Sequence, residues 1–304
     1  MRPTGGRPVT AVLSISHVGL LTPDIEGCVQ RWELLFNAGR TELRPTWYAS
    51  DEEVLATFLP FGSCSIEPIQ PMRPDTIQGA ALAAGRPAFH LSVKVADIHE
   101  TVRNLRSRGV WVQLRPPGRT VTLHRGWLDE SSTHGVTLEL IDAGEVASFR
   151  PPPAAGSAPP PEPTTPSDRP TLRSVALRVD DLDAARDFYA GDLGLAEQRP
   201  VQDAEVLGVP VRHAAVRAPE GLTVELFEYA SERSVPALPA QQGISHVTLT
   251  TADLELLRAR LHAAEALMTD DSANATGDAA GLWVHSRTTG GLVVHVLAET
   301  DTAS

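Results

Sequence analysis

The strongest constraint in this sequence of 304 residues is an internal duplication. Residues 90–139 align with residues 246–295 without a gap at an offset of 156, and the alignment pairs His90 with His246. A repeat of this size predicts two copies of one domain. The chain is also long enough for each copy to bury its own core.

Composition narrows the choice of partner. The formal net charge is -12, and no stretch of the sequence concentrates Lys and Arg. Nucleic acids and anionic membranes both require a concentrated positive field, so neither is expected as a partner. A small molecule is the expected ligand, and assembly into a homodimer is left open.

The sequence carries no recognisable targeting segment. No basic region followed by an apolar run starts the chain, and no apolar stretch approaches the roughly 20 residues that cross a bilayer. Cys28 and Cys64 lack a CxxC spacing and are predicted to be reduced packing residues. We therefore expect a cytoplasmic protein.

A proline-rich segment at residues 150–170 separates the two copies. Such a composition cannot sustain a helix or a sheet and predicts an extended spacer. The sequence is therefore divided into a flexible tail at residues 1–11, a first domain at residues 12–149, this linker, and a second domain at residues 171–299.

Each copy is predicted to contain two units of one strand, one helix and further strands. In the first unit an apolar strand at residues 13–21 precedes a helix with Asp24 as its N-cap, and strands at residues 54–59 and 64–69 form a hairpin. The second unit repeats this plan with Asp97 as the N-cap. Four βαβββ-like units and an α+β fold are expected.

Four residues recur at comparable places in the strands of the first copy. His17 and His90 lie in the opening strands of the two units, and Glu67 and Glu139 lie in their last strands. Two imidazoles and two carboxylates suit a divalent ion and leave two octahedral positions for a chelating substrate. Taken singly, each fits a core histidine or a solvent-facing carboxylate. The four together favour a metal site, since unpaired carboxylates among apolar neighbours are costly.

These segments resemble the vicinal oxygen chelate superfamily, whose members include glyoxalase I, methylmalonyl-CoA epimerase, extradiol dioxygenases and bleomycin or fosfomycin resistance proteins. The first half is most similar to methylmalonyl-CoA epimerases, at residues 16–25, 64–71, 89–98 and 133–140. The resemblance implies tandem α+β domains, each folding two βαβββ units into a cup-shaped mixed sheet. It also implies one divalent metal ion in the first cup, bound by His17, Glu67, His90 and Glu139.

The second half departs from this pattern. Ser174 stands at the place of His17, and His295 stands at the place of Glu139. The candidates that remain for a second site are Glu225, His246 and His295. Such a trio can hold a metal ion, but its carboxylate comes from an earlier strand than in extradiol dioxygenases, so we expect a degenerate site. Whether a cup forms within one half or between the halves stays open at this point.

The resemblance and the ligand set predict a non-redox enzyme, either an epimerase or isomerase or a lyase. It would act through a metal-stabilised enolate on a small substrate with vicinal oxygens, for example in natural-product metabolism, with Zn, Ni, Co or Mn as the ion. Glu139, as both ligand and base, and Glu67 are the candidate catalytic residues. The acidic run at residues 51–53 lies near a second acid or base of the epimerases but is expected to be an exposed turn.

Two other classes are alternatives. An extradiol-type dioxygenase would use Fe(II), although Glu67 as a fourth ligand would crowd the positions that catechol and dioxygen need. An antibiotic-sequestering protein needs no metal and usually lines its cup with aromatic residues, whereas this chain has only 5%. The sequence assigns no substrate-binding residue.

Overall fold

A computed structural model describes residues 12–38, 46–143, 169–229, 241–271 and 281–299 of the chain. The predicted tail and residues 150–168 of the predicted linker lie outside the described residues. None of the helices in the described ranges is long and apolar enough to span a membrane.

The first half builds a mixed sheet and flanking helices. Its strands are β1 (Val12–Leu21), β2 (Trp47–Ala49), β3 (Val54–Ala56), β4 (Leu59–Phe61), β5 (Cys64–Pro71), β6 (Ala88–Val95), β7 (Gln113–Arg115), β8 (Arg125–Leu128) and β9 (Thr137–Asp142). Its helices are α1 (Ile25–Phe36), α2 (Ile77–Ala83) and α3 (Ile98–Ser107).

The second half repeats this arrangement. Its strands are β10 (Thr171–Arg178), β11 (Ala196–Val206), β12 (Val209–Arg217), β13 (Thr223–Tyr229), β14 (Gly243–Thr251), β15 (Met268–Asp271), β16 (Gly281–Val284) and β17 (Val293–Ala298). Its helices are α4 (Leu182–Arg186), which continues in π-helical form over Asp187–Asp192, α5 (Leu254–Ala263) and α6 (Ser286–Thr289).

Each half forms a sheet of its own. The strand order is β2-β3-β5-β1-β6-β9-β8-β7 in the first half, with β4 also paired to β5, and β11-β12-β13-β10-β14-β17-β16-β15 in the second. In both sheets the opening strands of the two units pair antiparallel at the centre, and each has the last strand of its own unit as a parallel neighbour. The cup therefore forms within one half, and the prediction of tandem α+β cups is confirmed.

Aspartate side chains start the main helices. Asp24 accepts a hydrogen bond from the backbone N–H of Gly27, and Asp97 accepts one from Glu100. Each carboxylate thereby satisfies one of the helix N–H groups that have no partner within the helix. Both predicted N-caps are confirmed. The buried faces of these helices pack on the sheet, so the opposite face of the sheet is left to line the cup.

One predicted strand is divided in the structure. Residues 54–59 contribute to both β3 and β4, although both strands pair with β5. Thr57 donates its N–H to the Pro68 carbonyl at 3.2 Å, but Pro68 has no N–H to return a bond. The ladder of hydrogen bonds is therefore interrupted at this point.

The two halves pack through equivalent surfaces. Trp32 in α1 donates its Nε1–H to the backbone oxygen of Thr289 at 3.0 Å, and Tyr189 donates its hydroxyl to the backbone oxygen of Thr133 at 3.1 Å. In the repeat alignment Trp32 corresponds to Tyr189 and Thr133 to Thr289. The second bond is thus the first with the halves exchanged, an approximate two-fold relation. One continuous apolar core extends through both halves.

We expect Tyr189→Phe to lower the free energy of unfolding by about 1 to 2 kcal/mol, because the buried ring keeps its packing while the Thr133 carbonyl loses its donor. Chemical denaturation followed by tryptophan fluorescence measures the change. Tyr48→Phe is the matched control: Tyr48 is 49% exposed, so its effect should stay below about 0.5 kcal/mol. Equal effects of the two substitutions would contradict the assigned importance of this bond.

Candidate metal centre

Four neighbouring strands bring the predicted ligands together. His17 lies on β1, Glu67 on β5, His90 on β6 and Glu139 on β9. The order β5-β1-β6-β9 makes these strands consecutive in the sheet. Gly19 on β1 is paired with both Glu67 and His90, so that two of the ligands flank one glycine.

Ligand atoms of the other three residues lie close to His17 Nε2, among buried side chains. His17 Nε2 lies 3.0 Å from His90 Nε2, 3.2 Å from Glu67 Oε2 and 3.3 Å from Glu139 Oε2. His90 Nε2 lies 3.5 Å from Glu67 Oε2 and 3.8 Å from Glu139 Oε2. All four residues are buried.

These separations suit a first coordination shell. Ligand atoms at about 2.0 to 2.1 Å from an ion lie about 2.8 to 3.4 Å from adjacent ligand atoms in octahedral or tetrahedral geometry, and about 4 Å from one on the opposite side of an octahedron. The ligand atoms of His17, Glu67 and His90 all lie within 4.8 Å of one another, and Glu139 contacts both histidines. Imidazole with carboxylate is the donor set of borderline and hard divalent ions. The residues present therefore fit a divalent ion.

Without an ion, protonation of His17 compensates the charges of the neighbouring carboxylates. Burial alone would lower the pKa of His17, but the carboxylates of Glu67 and Glu139 outweigh it and raise this pKa to about 9. Burial lowers the pKa of His90 to about 4. Although burial opposes it, contact with His17 lowers the pKa of Glu139 to about 2. At neutral pH an imidazolium at His17 thus faces a neutral His90 and an ionised Glu139.

Gly19 makes room for the second histidine. A Cβ atom on Gly19 would lie 2.3 Å from Nδ1 and Cε1 of His90, so no larger residue fits beside this imidazole. The ring of His90 also packs at 5.4 Å from Trp127 and 5.6 Å from Phe89, between centroids. Nδ1 of His90 has no hydrogen-bond partner in the described part of the chain. The orientation of the imidazole is therefore fixed by these ring contacts and not by a hydrogen bond through Nδ1.

A largely apolar pocket lies over the four ligands. It encloses about 470 Å³ of space, its open mouth included. Its apolar and aromatic walls include Trp47, Val54, Ile69, Phe89, Val121 and Trp127. Glu52 and Arg125 also line this pocket, so charged groups other than the ligands face the same space. A small organic molecule with an apolar body suits such a site.

The acidic run at residues 51–53 is not a uniformly exposed turn. The Glu52 side chain is 11% exposed and forms an ion pair with Arg125. Burial raises the pKa of Glu52, and the neighbouring arginine only partly opposes this. Asp51 accepts hydrogen bonds from the backbone N–H and the hydroxyl of Thr120, at 2.9 and 3.0 Å, and so ties the β7–β8 loop to the β2–β3 turn. The expectation of an exposed turn is wrong for Glu52.

From the sequence, Arg125 stands only as one of four arginines that could bind the phosphates of a CoA substrate, and Trp127 is not placed in the pocket. They are two positions apart on β8, and Trp127 is paired with Glu139 on β9. Because alternate residues of a strand face the same side, both point to the side on which Glu139 lies. The spacing of Arg125 and Trp127 by two positions could have indicated that they share one face of a strand, but a strand at this place was not predicted.

The candidates for a second site have other partners. Glu225 accepts a hydrogen bond from the Ser174 hydroxyl at 2.5 Å and lies 3.3 Å from His213 Nε2. His295 Nε2 lies 2.9 Å from Asp271 Oδ2. The part of the chain that the structure describes holds no converging group of metal ligands in this half. His213 and Asp271 were not anticipated from the sequence.

Three replacements distinguish the second half: His295 stands where the first half has Glu139, and the other two lie on β10. Ser174 removes one imidazole, and Ala176 takes the place of Gly19 beside His246. Ala176 is buried and paired with His246, whereas a Cβ atom at Gly19 would clash with His90. Burial lowers the pKa of His246 to about 3, so this residue stays neutral in the core. A degenerate second site remains a prediction, which metal content tests.

Two family models match the chain, and both are described as the Glyoxalase/Bleomycin resistance protein/Dioxygenase superfamily. One matches residues 16–125 and the other residues 171–280. Together they span more than half of the chain and fall on the two repeat copies. No curated protein matches the chain significantly.

Solved structures share the fold at low sequence identity. A variant of 4-hydroxymandelate synthase from Streptomyces coelicolor is 16% identical, with a TM-score of 0.64 over 96% of this chain and 94% of that chain. A halotolerant catechol dioxygenase is 12% identical, with a TM-score of 0.56 over 97% and 90%. Methylmalonyl-CoA epimerase from Mycobacterium tuberculosis is 19% identical, with a TM-score of 0.40 over 49% and 97%. The first two similarities establish the fold, and none of the three establishes the reaction.

Binding of a divalent ion should release one proton per ion at pH 7.5, because the His17 imidazolium, with its pKa of about 9, must lose its proton to become a ligand. The affinity should therefore rise about tenfold per pH unit from pH 6.5 and level off above about pH 9. Calorimetric titration with Zn²⁺ in buffers of different ionisation enthalpy measures the released proton. An affinity independent of pH across this range would contradict the assigned protonation state.

Proposed function

Since the chain belongs to the glyoxalase/bleomycin resistance protein/dioxygenase superfamily, the vicinal oxygen chelate superfamily, with one family domain in each half, we propose that it is a divalent-metal-dependent, non-redox enzyme. Residues 12–149 form its catalytic domain, and residues 171–299 form a domain without a metal centre. The substrate is a small molecule with two neighbouring oxygens, and the enzyme is cytoplasmic. The convergence of four ligand atoms in the first cup carries this proposal.

The ligands are His17, Glu67, His90 and Glu139. A divalent ion bound there supplies Lewis-acid polarisation of the substrate oxygens. Zn, Ni, Co and Mn all accept this donor set. The chain itself excludes water through the apolar walls of the pocket and holds a carboxyl group, that of Glu52, beside the substrate. The reaction class that fits is proton transfer at the carbon next to a carbonyl, as in an epimerase, an isomerase or a lyase.

Glu52 suits proton transfer because it lines the pocket without being one of the proposed metal ligands. Burial raises its pKa above the ordinary carboxyl value, and a general acid or base works best when its pKa approaches the working pH. Glu139 lies against both histidines and would be held by the ion, so its oxygens are less available to accept a proton. We therefore assign Glu67 and Glu139 to metal binding and Glu52 to proton transfer. Glu139 is also the second carboxylate near the reacting carbon.

An extradiol-type dioxygenase is the second candidate. His17, Glu67 and His90 form a group of two histidines and one carboxylate, which is the facial arrangement of non-heme iron oxygenases. Against it, Glu139 lies 3.3 Å from His17 Nε2 and occupies a further position around the centre. Iron in the purified protein, with consumption of dioxygen in the presence of a catechol, would favour this candidate.

Metal content by mass spectrometry, on protein purified without an affinity tag or chelator, should give about one Zn, Ni, Co or Mn per chain. His17→Ala and His90→Ala should lose the ion, since each removes one of four ligands. The matched control is His246→Ala, the equivalent substitution in the second half, which should retain it. Retention of the ion in His17→Ala together with its loss in His246→Ala would place the centre in the second half and contradict the proposal. Absence of any ion after reconstitution would favour a sequestering protein.

Glu52→Gln should slow proton exchange by about 10²-fold or more while metal content stays unchanged, because the amide cannot accept a proton. Deuterium incorporation from D₂O into a panel of 2-oxo acids and hydroxyketones, followed by NMR, measures the exchange. Glu53→Gln, on the neighbouring residue, is the control and should keep wild-type exchange. An unchanged rate in Glu52→Gln would remove Glu52 from the mechanism.

A further inference from the structure

Among the described residues that line the pocket, Arg125 is the one with a permanent positive charge. Its side chain is 7% exposed, and its Nη1 forms ion pairs with Glu52 and, at 3.7 Å, with Glu139 Oε1. The other oxygen of Glu139, Oε2, faces the two histidines. The guanidinium therefore lies one carboxyl group away from the candidate metal centre.

A buried N–H donor beside the centre, the Nε of Arg125, makes no hydrogen bond within the described part of the chain. The indole Nε1 of Trp127 also lacks an acceptor, but so does that of Trp283 at the equivalent position, so Arg125 is the donor that distinguishes the first half. Arg125 and Trp127 alternate on β8 and so face the same side of the strand. Buried polar groups are satisfied in nearly all folded proteins. A ligand with an acceptor group in this part of the pocket would satisfy them after a small adjustment of the side chains.

The second half shows that the fold does not need a cation at this position. The equivalent of Arg125 is Gly281, where a Cβ atom would lie 2.8 Å from the Leu297 side chain and 3.1 Å from His295 Nε2. A side chain would not fit there. The half with the four converging ligands has the arginine, and the half without them has glycine.

The charges around the centre leave Arg125 for a substrate. The carboxylates of Glu67 and Glu139 balance a divalent ion, so Arg125 and Glu52 remain as a pair. Glu52 lies on the turn between β2 and β3, and its Oε1 is also 3.7 Å from Nη1 of Arg115, so Glu52 keeps a cationic partner when it leaves Arg125. A guanidinium binds a carboxylate through two parallel N–H···O bonds, a geometry that a single ion pair through Nη1 does not use.

Building on the proposed function, we propose that Arg125 binds a carboxylate of the substrate. The substrate class is then a small acid with two chelating oxygens at one end and a carboxylate further along its chain. Trp127 and Phe89, in the pocket wall, contact the carbon chain between these groups. The incoming carboxylate takes the place of Glu52 beside Arg125, and Glu52 is released toward the reacting carbon.

The test uses two probes that differ in one carboxylate. 2-Oxoglutarate and 2-oxopentanoate have the same chain length and the same chelating 2-oxo acid, but only the first has a distal carboxylate. Both are titrated into protein loaded with Co²⁺, and the visible spectrum of the ion reports binding. Wild-type protein should bind 2-oxoglutarate about tenfold more tightly or better. Arg125→Gln should abolish this preference and leave the Kd of 2-oxopentanoate unchanged within about twofold.

Arg119→Gln is the matched control, because Arg119 is an exposed arginine that donates to Ser50 at 3.0 Å, and it should keep the wild-type preference. The absence of a preference in wild-type protein, or its persistence in Arg125→Gln, would overturn the proposal. If circular dichroism shows that Arg125→Gln does not fold, Arg125→Lys replaces it: the preference should fall, and an unchanged preference overturns the proposal.

A failure of the proposed function gives a different result. Protein that takes up no Co²⁺ contradicts the metal-dependent enzyme directly, before any probe is added. Calorimetric titration of the same two probes into the metal-free protein then tests Arg125 by itself. Equal binding of the two probes would overturn its role, and tighter binding of 2-oxoglutarate that depends on Arg125 would support it.

Discussion

The gathering of two imidazoles and two carboxylates at the centre of one sheet is the constraint on which the rest of the first half depends. Buried groups of this kind are costly unless an ion or a shared proton compensates their charges. Four consecutive strands are needed to supply them, which requires the antiparallel pairing of β1 with β6 at the centre of the sheet. Gly19, between Glu67 and His90, leaves the space in which the imidazole can stand. The order of the strands and the absence of a side chain at Gly19 thus both allow these four groups to lie together.

The second half satisfies its corresponding buried groups through contacts within the chain. Ser174 and His213 supply partners for the Glu225 carboxylate, and Asp271 supplies one for His295. This half keeps the cup, and these contacts lie inside its wall. It also contributes to the common core and to the two-fold related contacts between the halves. Those contacts form within a single chain, and assembly into a homodimer stays a prediction.

Much of this arrangement could be predicted from the sequence. The repeat predicts two domains, the N-cap aspartates mark the helices, and the recurrence of His17, Glu67, His90 and Glu139 in equivalent strands predicts that they meet. The pairing of units within one half could not be predicted, because either pairing satisfies the same apolar faces. The inward positions of Glu52 and of the cation on β8 were also missed. Both depend on short segments, a turn and a four-residue strand, whose side-chain direction follows from their tertiary partners and not from local periodicity.

The alanine beside His246 has a consequence for how a duplicated domain changes over time. Recovery of a four-ligand centre in the second half would require Ser174→His, Ala176→Gly and His295→Glu together. Ser174→His alone removes the hydroxyl that Glu225 accepts from, and His295→Glu alone places a carboxylate beside Asp271. Neither change gains an ion by itself, and each is destabilising. Loss of such a centre would therefore be difficult to reverse by single substitutions. A copy without the centre no longer has to conserve metal ligands and can instead conserve the surface that packs against the other copy.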